Sequence, residues 1–567
     1  MVINIIFYDF EVYEFDWLVV LINPDKRTED VVINNPTLLT EYYEANKDDI
    51  WVGKNNTGYD QFILKGILCG FNPKKVNDWI IIKGKSGWKF SSLFSKIPMI
   101  NYDIGLPTYS LKQLEGFMGN AIKETSVPFD IDRKLTDEEI AETVKYCKSD
   151  VYNTIQVFIY KIDDFNARLD LIKTFNLPLS YISKTQAQLA AIILGAERVN
   201  LNDEWEIRVP DTIVIDKHKY IVDWFLNEKN HKYDANLNNT INGVEHNIAW
   251  GGIHGALSNY SCVCKKDELL IMADVDQLYP TIMIKYGLLS RAVKEPERFE
   301  NILNTSLKLK AEKKKKEREP YKRICNITYG AEGDRFNSMY DPLHRNLVCI
   351  FGQLFLIDLL EKVESFTELI QSNTDGVLLK IKESDFDKLD DVVFEWEKRT
   401  GLHMSFDLYK SIYQKDVNNY IAVDFDGGIK SKGGYVKELN ELDNNLPIVN
   451  KAIVDYITKG IAIETTINGC NELKQFQMIC KITSKYKCLI HNGKQLSERC
   501  VRVFASRYND GGLYKLHQNK NKPDKFPSTP ANCFIDNEDV NGKSVPDKLD
   551  RQFYINMAKE RAKGYGI

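Results

Sequence analysis

The chain has 567 residues, 43% of them apolar, and a formal charge of −5. That length predicts roughly three to five domains with real hydrophobic cores, and no run nears the ~18 uninterrupted apolar residues of a membrane span. The eleven cysteines lack zinc-finger spacing and Met1 to Asn4 lacks the charged start of a signal peptide, so a cytoplasmic protein with reduced thiols is expected.

The apolar runs Ile3 to Phe10 and Trp17 to Ile22 read as adjacent strands. Side chains alternate along a strand, so Asp9 and Glu11 share a face and form half of a metal site. Ile50 to Gly53 is a short strand running into Lys54-Asn55-Asn56-Thr57-Gly58-Tyr59-Asp60, and the helical pattern from Gln61 to Cys69 puts Asp60 at a helix start. Thr136 and Glu139 predict a capping box, opening a helix that stacks Tyr146 and Asp150 at i, i+4. In this order and spacing the elements resemble the three motifs of the DEDDy 3′-to-5′ exonucleases, the RNase H-like proofreading domain of many DNA polymerases. The resemblance implies that Asp9, Glu11, Asp60 and Asp150 hold two Mg2+ ions and that Tyr146 orients the attacking water. It also implies nucleic-acid contacts from Asn56, four residues before Asp60, and from Ser110 and Leu111 in Ser110-Leu111-Lys112-Gln113-Leu114.

Further along, Glu268 to Ala273 is a compact strand ending at Asp274, and Leu278 to Tyr286 has helical character. A strand-to-helix junction exposes the aspartate and turns backbone N–H groups toward a phosphate. Lys322, Asn326 and Tyr329 fall at i, i+4, i+7, one stripe of a helix, and suit a nucleotide-binding face. Asn373-Thr374-Asp375-Gly376 separates two strand-forming runs and predicts a hairpin with Asp375 at its tip. Charge is unevenly spread. Lys308 to Arg323 holds nine Lys/Arg against three Glu, a local +6, and Lys481 to Lys525 holds eleven against three, a local +8. The second run interleaves Tyr486, Phe504, Tyr508, Tyr514 and Phe526, the mixture expected of a phosphate-tracking, base-stacking surface.

Asp274 to Pro280, Lys322 to Gly330 and Asn373 to Gly376 resemble motifs A, B and C of family B DNA polymerases. The resemblance implies that Asp274 and Asp375 are catalytic metal ligands, that Lys322 contacts the incoming triphosphate beside Asn326 and Tyr329, and that Tyr279 is a steric gate against a 2′-OH. Lys310 and Arg318, 12 and 4 residues before Lys322, stand where the family's fingers carry further phosphate contacts. Pro320 is expected to start or kink a helix, displacing Arg318. Several positions depart from the family pattern. Gln277 and Ile327 replace serines, Asn373 replaces the first aspartate of Asp-Thr-Asp-Ser, Ala249-Trp250-Gly251-Gly252 lacks the tyrosine of Tyr-x-Gly-Gly, and Asn418-Asn419-Tyr420 keeps only Tyr420 of Lys-x-Tyr.

The expected fold class is α/β and α+β multidomain, an RNase H-like exonuclease domain followed by a right-hand polymerase. The boundaries read as exonuclease 1–165, bridging region 166–267, palm 268–290, fingers 291–335, palm 336–440 and thumb 441–567. Asp274 to Lys322 spans 48 residues and Gly330 to Asp375 spans 45. The chain is similar in size and motif style to the small protein-primed bacteriophage polymerases, yet these gaps leave no room for their insertions. A compact, nucleic-acid-primed enzyme of a bacteriophage or mobile element is expected, acting as a monomer in the host cytoplasm. It would use Mg2+, two ions per site with Mn2+ as the alternative, primer-template DNA, dNTPs and a separate processivity factor. The competing readings are a nuclease whose polymerase half has decayed, motivated by Asn373 and Asn418, and a non-catalytic primer-template clamp.

Overall fold

The apolar run after Asn4 becomes β1 (Ile5–Val12), the middle strand of a sheet in a computed structural model that describes residues 4–105 and 109–567. Ile3, the expected start of that strand, lies outside the described residues. Among these, β1 joins β2 (Trp17–Asn23), β3 (Thr28–Ile33), β4 (Ile50–Gly53) and β5 (Ile100–Asp103) in the order β3-β2-β1-β4-β5. β1 is antiparallel to β2 and parallel to β4, and β4 is parallel to β5. Period-two alternation sends Tyr8, Phe10 and Val12 into one apolar layer with Trp51 and Phe62, and Phe7 into another with Cys147 and Val151. Three helices frame the sheet: α1 (Asp60–Leu68), α2 (Leu111–Met118) and α3 (Asp137–Tyr160). α3 starts on the expected capping box, with the Thr136 hydroxyl accepting the Glu139 N–H and the Glu139 carboxylate accepting the Thr136 N–H.

The chain divides into two units, and the division is discontinuous. The first runs to Ser183 and resumes over Leu439–Ile448 and Asn468–Tyr554. The second holds Lys184–Glu438, Val449–Ile467 and Ile555–Ile567. The stretch read from sequence as one thumb, 441–567, is therefore shared between both. Its strands Met478–Lys481 and Cys500–Ala505 pack on α2 within the first unit. Arg502, fully buried there, donates to the Gly116, Asn120, Asp536 and Glu538 carbonyls and to Gln477 Oε1. Five donated hydrogen bonds offset the desolvation of a guanidinium. Arg502 and the buried Phe504, stacked on Phe534 at 5.2 Å, thus leave the basic aromatic surface read into Lys481 to Lys525. Tyr486 and Phe526 remain on it, with the Lys515 ammonium 4.6 and 5.4 Å from their ring centres.

The second unit is built on a sheet of β6 (Asn236–Ile241), β7 (Val244–Ala249), β8 (Gly252–Ala256), β9 (Tyr260–Val263), β10 (Glu268–Val275), β11 (Glu368–Ser372), β12 (Gly376–Lys382), β13 (Met404–Asp416), β14 (Asn419–Asp424) and β15 (Ile429–Lys432). The path is β15-β14-β13-β10-β12-β11-β8-β7-β6, with β9 pairing farther along β13. After β10 comes α4 (Leu278–Lys285), then the helix pair α5 (Pro296–Ala311) and α6 (Lys315–Gly333), then α7 (Pro342–Val363), buried almost end to end. Pro320 lies inside α6, five residues past its start, where its missing N–H removes one hydrogen bond of the second turn. Among the described residues no helix is long and apolar enough to cross a membrane.

Candidate active sites

In the first unit Asp9 and Glu11 lie on the face of β1 that packs against α3. Asp60 is the first residue of α1, and its Oδ1 accepts the main-chain N–H of Phe10 at 3.2 Å, which ties it between the other two carboxylates. Asp150 lies one turn beyond Tyr146 on α3. Glu11, Asp60 and Asp150 are 7%, 4% and 7% exposed. Burial, and then the fields of Asp60, Glu11 and Asp150, hold the Asp9 carboxyl well above the usual carboxylate range. Burial and then Asp150 and Asp60 push Glu11 up to about 8, and burial pushes Asp60 up to about 7. Such mutual effects require that the expected residues meet, although 141 positions separate Asp9 from Asp150.

Sequence reasoning missed the cation of this cluster. Lys112 Nζ stands 2.7 Å from Asp150 Oδ1, 3.0 Å from Glu115 Oε1 and 4.6 Å from the centre of the Tyr146 ring. The available signal was the i, i+3 spacing of Lys112 and Glu115 on a helix whose exposed positions are few. One lysine does not balance Asp9, Glu11, Asp60, Asp150 and the buried Glu115. Oxygen donors in charge excess fit divalent Mg2+ or Mn2+, with Asp9, Glu11, Asp60 and Asp150 as the holders.

Three neighbouring expectations are corrected. Asn56 is fully buried and donates to Asn101 Oδ1 at 2.9 Å and to the Tyr102 carbonyl at 3.2 Å, so it fixes the loop before α1 and offers no surface to nucleic acid. Ser110 spends its hydroxyl as the N-cap of α2, accepting from Gln113 N–H. Leu111 packs against the core layer of Phe7 and Leu114.

In the second unit β10 sits between β12 and β13, and register pairs Asp274 with Gly376. Asp375, one residue before Gly376, accepts the Val275 N–H through its carbonyl at 2.8 Å. The two aspartates are thereby neighbours at one end of the sheet. Burial first, and then Asp375, push the Asp274 carboxyl up to about 6. Gly376 makes the arrangement possible: a Cβ there would lie 1.9 Å from Asp274 Oδ1 and 2.9 Å from the Ala273 carbonyl oxygen. Paired carboxylates at a sheet end, one half-buried and one exposed, suit a divalent ion.

The remaining expected residues gather around this pair to different degrees. Tyr279 on α4 and Tyr329 on α6 have ring centres 4.2 Å apart, and the Tyr279 hydroxyl lies 3.9 Å from Cys349 Sγ. Lys322 and the exposed Asn326 lie on the same helix as Tyr329, and neither has a side-chain partner among the described residues. Lys310 Nζ is paired with Asp276 at 2.6 Å, and Arg318 donates to Ser306 Oγ across the α5–α6 pair at 3.3 Å. The Trp250-Gly251-Gly252 turn lies beside the hairpin, where Gly252, at φ +148°, would bring a Cβ within 3.3 Å of Thr374 Oγ1. Asn373 faces His254, whose imidazole is held below its ordinary value by burial. Tyr420 is corrected: it is 6% exposed and packed with Leu270, Met272 and Tyr409, so its ring is not free to grip a primer end.

A second cation escaped the sequence reading. Lys430 on β15 has its ammonium 6.0 Å from the Tyr409 ring centre, and the fields of Tyr409, Tyr420 and Asp274 oppose the effect of its own burial. It comes from the strand after Tyr420, where register sets Tyr420 against Lys432 and Ala422 against Lys430. A lysine three strands away from an aspartate in the sheet order cannot be inferred from spacing along the chain.

No protein-family model matches this chain, and no curated protein matches it. Among solved structures it is similar to the family B DNA polymerase of the hyperthermophilic archaeon Pyrobaculum calidifontis, at 14% identity and a TM-score of 0.43, over 99% of this chain and 78% of that one.

Proposed function

We propose that the chain is a template-directed, primer-dependent DNA polymerase of the family B type, carrying a DEDDy 3′-to-5′ exonuclease. The observation that carries the reading is the β10–β12 register, which sets Asp274 beside Asp375 across 100 residues of intervening sequence. The second acidic centre, on a β3-β2-β1-β4-β5 sheet, supports an RNase H-like exonuclease. In each centre bound Mg2+ would supply positive charge beside the attacking and leaving oxygens of a phosphoryl transfer.

The chain's own residues do the rest. Asp274 and Asp375 would hold the divalent ions, whose positive charge draws in a triphosphate and a primer 3′-hydroxyl. Lys322, without a carboxylate partner, is the cation ready for the triphosphate, whereas Lys310 must first leave Asp276. Tyr279, packed at a tilt against Tyr329, is a floor under the sugar. In the first unit Tyr146 orients water, and Lys112 holds Asp150 in place and opposes the burial that raises its carboxyl.

Primer extension with Mg2+ and dNTPs tests the proposal: wild-type protein extends a primed template and Asp274→Ala does not. Absence of extension by the wild type, or persistence in the variant, overturns it. Two further results are expected. Tyr279→Val will raise ribonucleotide incorporation relative to deoxyribonucleotide by about tenfold or more, because removing the ring opens room for a 2′-OH; an unchanged ratio removes the gate role. Gly376→Ala will lower incorporation by roughly tenfold or more while shifting Tm only a few degrees, because the new methyl displaces the Asp274 carboxylate and presses on one carbonyl. Steady-state extension and thermal melting read the two effects separately.

A further inference from the structure

The first unit carries a sulfur donor that neither acidic motif calls for. Cys147, next to Tyr146 on α3, is fully buried, and its Sγ lies 4.0 Å from Asp9 Oδ2 and 3.4 Å from the Asp9 carbonyl oxygen. One ligand atom each from Asp9, Glu11 and Cys147 lie within 4.8 Å of one another. The Glu11 side chain is 7% exposed, yet its carboxylate takes no hydrogen bond and no ion pair among the described residues. A carboxylate so buried and unpartnered is costly unless something positive completes it.

We propose that Asp9, Glu11 and Cys147 form a binding site for a soft divalent cation, zinc or cadmium, inside the exonuclease centre. The inference rests on the reading of this cluster as a metal centre, not on nuclease activity. Magnesium takes oxygen donors and gains nothing from sulfur, whereas thiolate ligands select zinc and its softer relatives. With Zn–S near 2.3 Å and Zn–O near 2.1 Å, ligand atoms of a tetrahedral site stand ~3.5 Å apart, so side-chain rotations of about 1 Å close the present spacing. Binding converts the thiol to a thiolate: one sulfur–metal bond forms, one S–H bond breaks, and its proton leaves to solvent together with any proton that Asp9 and Glu11 hold at that pH. Because the soft ion takes Asp9 and Glu11, it excludes magnesium from the same donors and blocks the centre.

The test uses the full chain, reduced and stripped of metal. Cadmium titration is expected to give a one-equivalent phase with a sulfur-to-cadmium charge-transfer band. That phase should be absent from Cys147→Ser and weakened at least about tenfold in Glu11→Gln, whereas Mn2+ affinity, read by electron paramagnetic resonance, changes less than about threefold in Cys147→Ser. X-ray absorption of wild-type protein with one equivalent of zinc should show one sulfur at about 2.3 Å, a measurement that does not depend on any variant folding. A zinc shell without sulfur, or a cadmium phase unaltered in either variant, overturns the proposal. Lack of 3′-end release with Mg2+ would instead count against the nuclease reading and leave these metal titrations standing.

Discussion

Asp375→Asn will lower the rate of nucleotide addition by roughly a thousandfold, equivalent to about 4 kcal/mol of transition-state stabilisation, and will leave the Kd for primer-template within about threefold. The substitution keeps the side chain's shape. An amide already stands two residues earlier at Asn373, beside His254, so the hairpin tolerates one. What changes is charge. Asp274 titrates high because it is buried and because Asp375 stands next to it. Removing that neighbour lets Asp274 ionise more readily, yet the pair then offers one negative charge in place of two, and a divalent ion loses half of its counter-charge. Ions of this kind act mostly where charge develops in the transition state, so kcat falls and binding does not. Single-turnover extension at saturating dNTP, with DNA affinity measured separately, gives both quantities. A rate within tenfold of wild type would remove Asp375 from the catalytic pair.

Much of both units was legible in the chain because local pattern and tertiary role coincide there. Alternation around Asp9 and Glu11 set their shared face, the Thr136–Glu139 box set the start of α3, and the strand-turn-strand pattern around Asp375 set the hairpin. The failures have one physical origin. Asn56, Ser110 and Tyr420 were assigned to a surface by position in a motif, whereas other contacts within the fold engage them: Asn101 and the Tyr102 carbonyl for the first, the start of its own helix for the second, an apolar cluster for the third. Lys112 and Lys430 were missed for the converse reason, since each joins its centre from an element that carries none of its expected metal-holding carboxylates, and Cys147 was missed because the Tyr146–Asp150 motif calls for no sulfur. Gly376 was given no role, and only the register of β10 on β12 reveals that the Asp274 carboxylate occupies the space of its absent side chain. Pro320, expected to start or kink a helix, lies inside α6, because a proline's local cost near a helix start is small enough for packing to override.

Glu11→Gln will reduce Mg2+-dependent release of 3′-terminal nucleotides by roughly a thousandfold, and the same variant will be the more heat-stable protein in EDTA at alkaline pH. The two effects have one cause. Glu11 is pushed up to about 8 in the fold by burial, then by Asp150 and Asp60, whereas an unfolded glutamate titrates near ~4.3. Between those values the folded protein holds a proton that the unfolded chain has released, so stability falls as pH rises through the window and the full penalty is present above about 8. Asp60, pushed up to about 7, adds to the same trend. Metal-free wild-type protein should therefore melt several degrees lower at pH 8.5 than at pH 6, a neutral amide at position 11 should flatten that slope, and Mg2+ should raise Tm more at the higher pH. Differential scanning calorimetry of wild type and variant, with and without metal, reads all three. Parallel slopes for the two proteins in EDTA would show that Glu11 is not held protonated against its neighbours, and would remove the electrostatic case for an ion between Asp9, Glu11, Asp60 and Asp150.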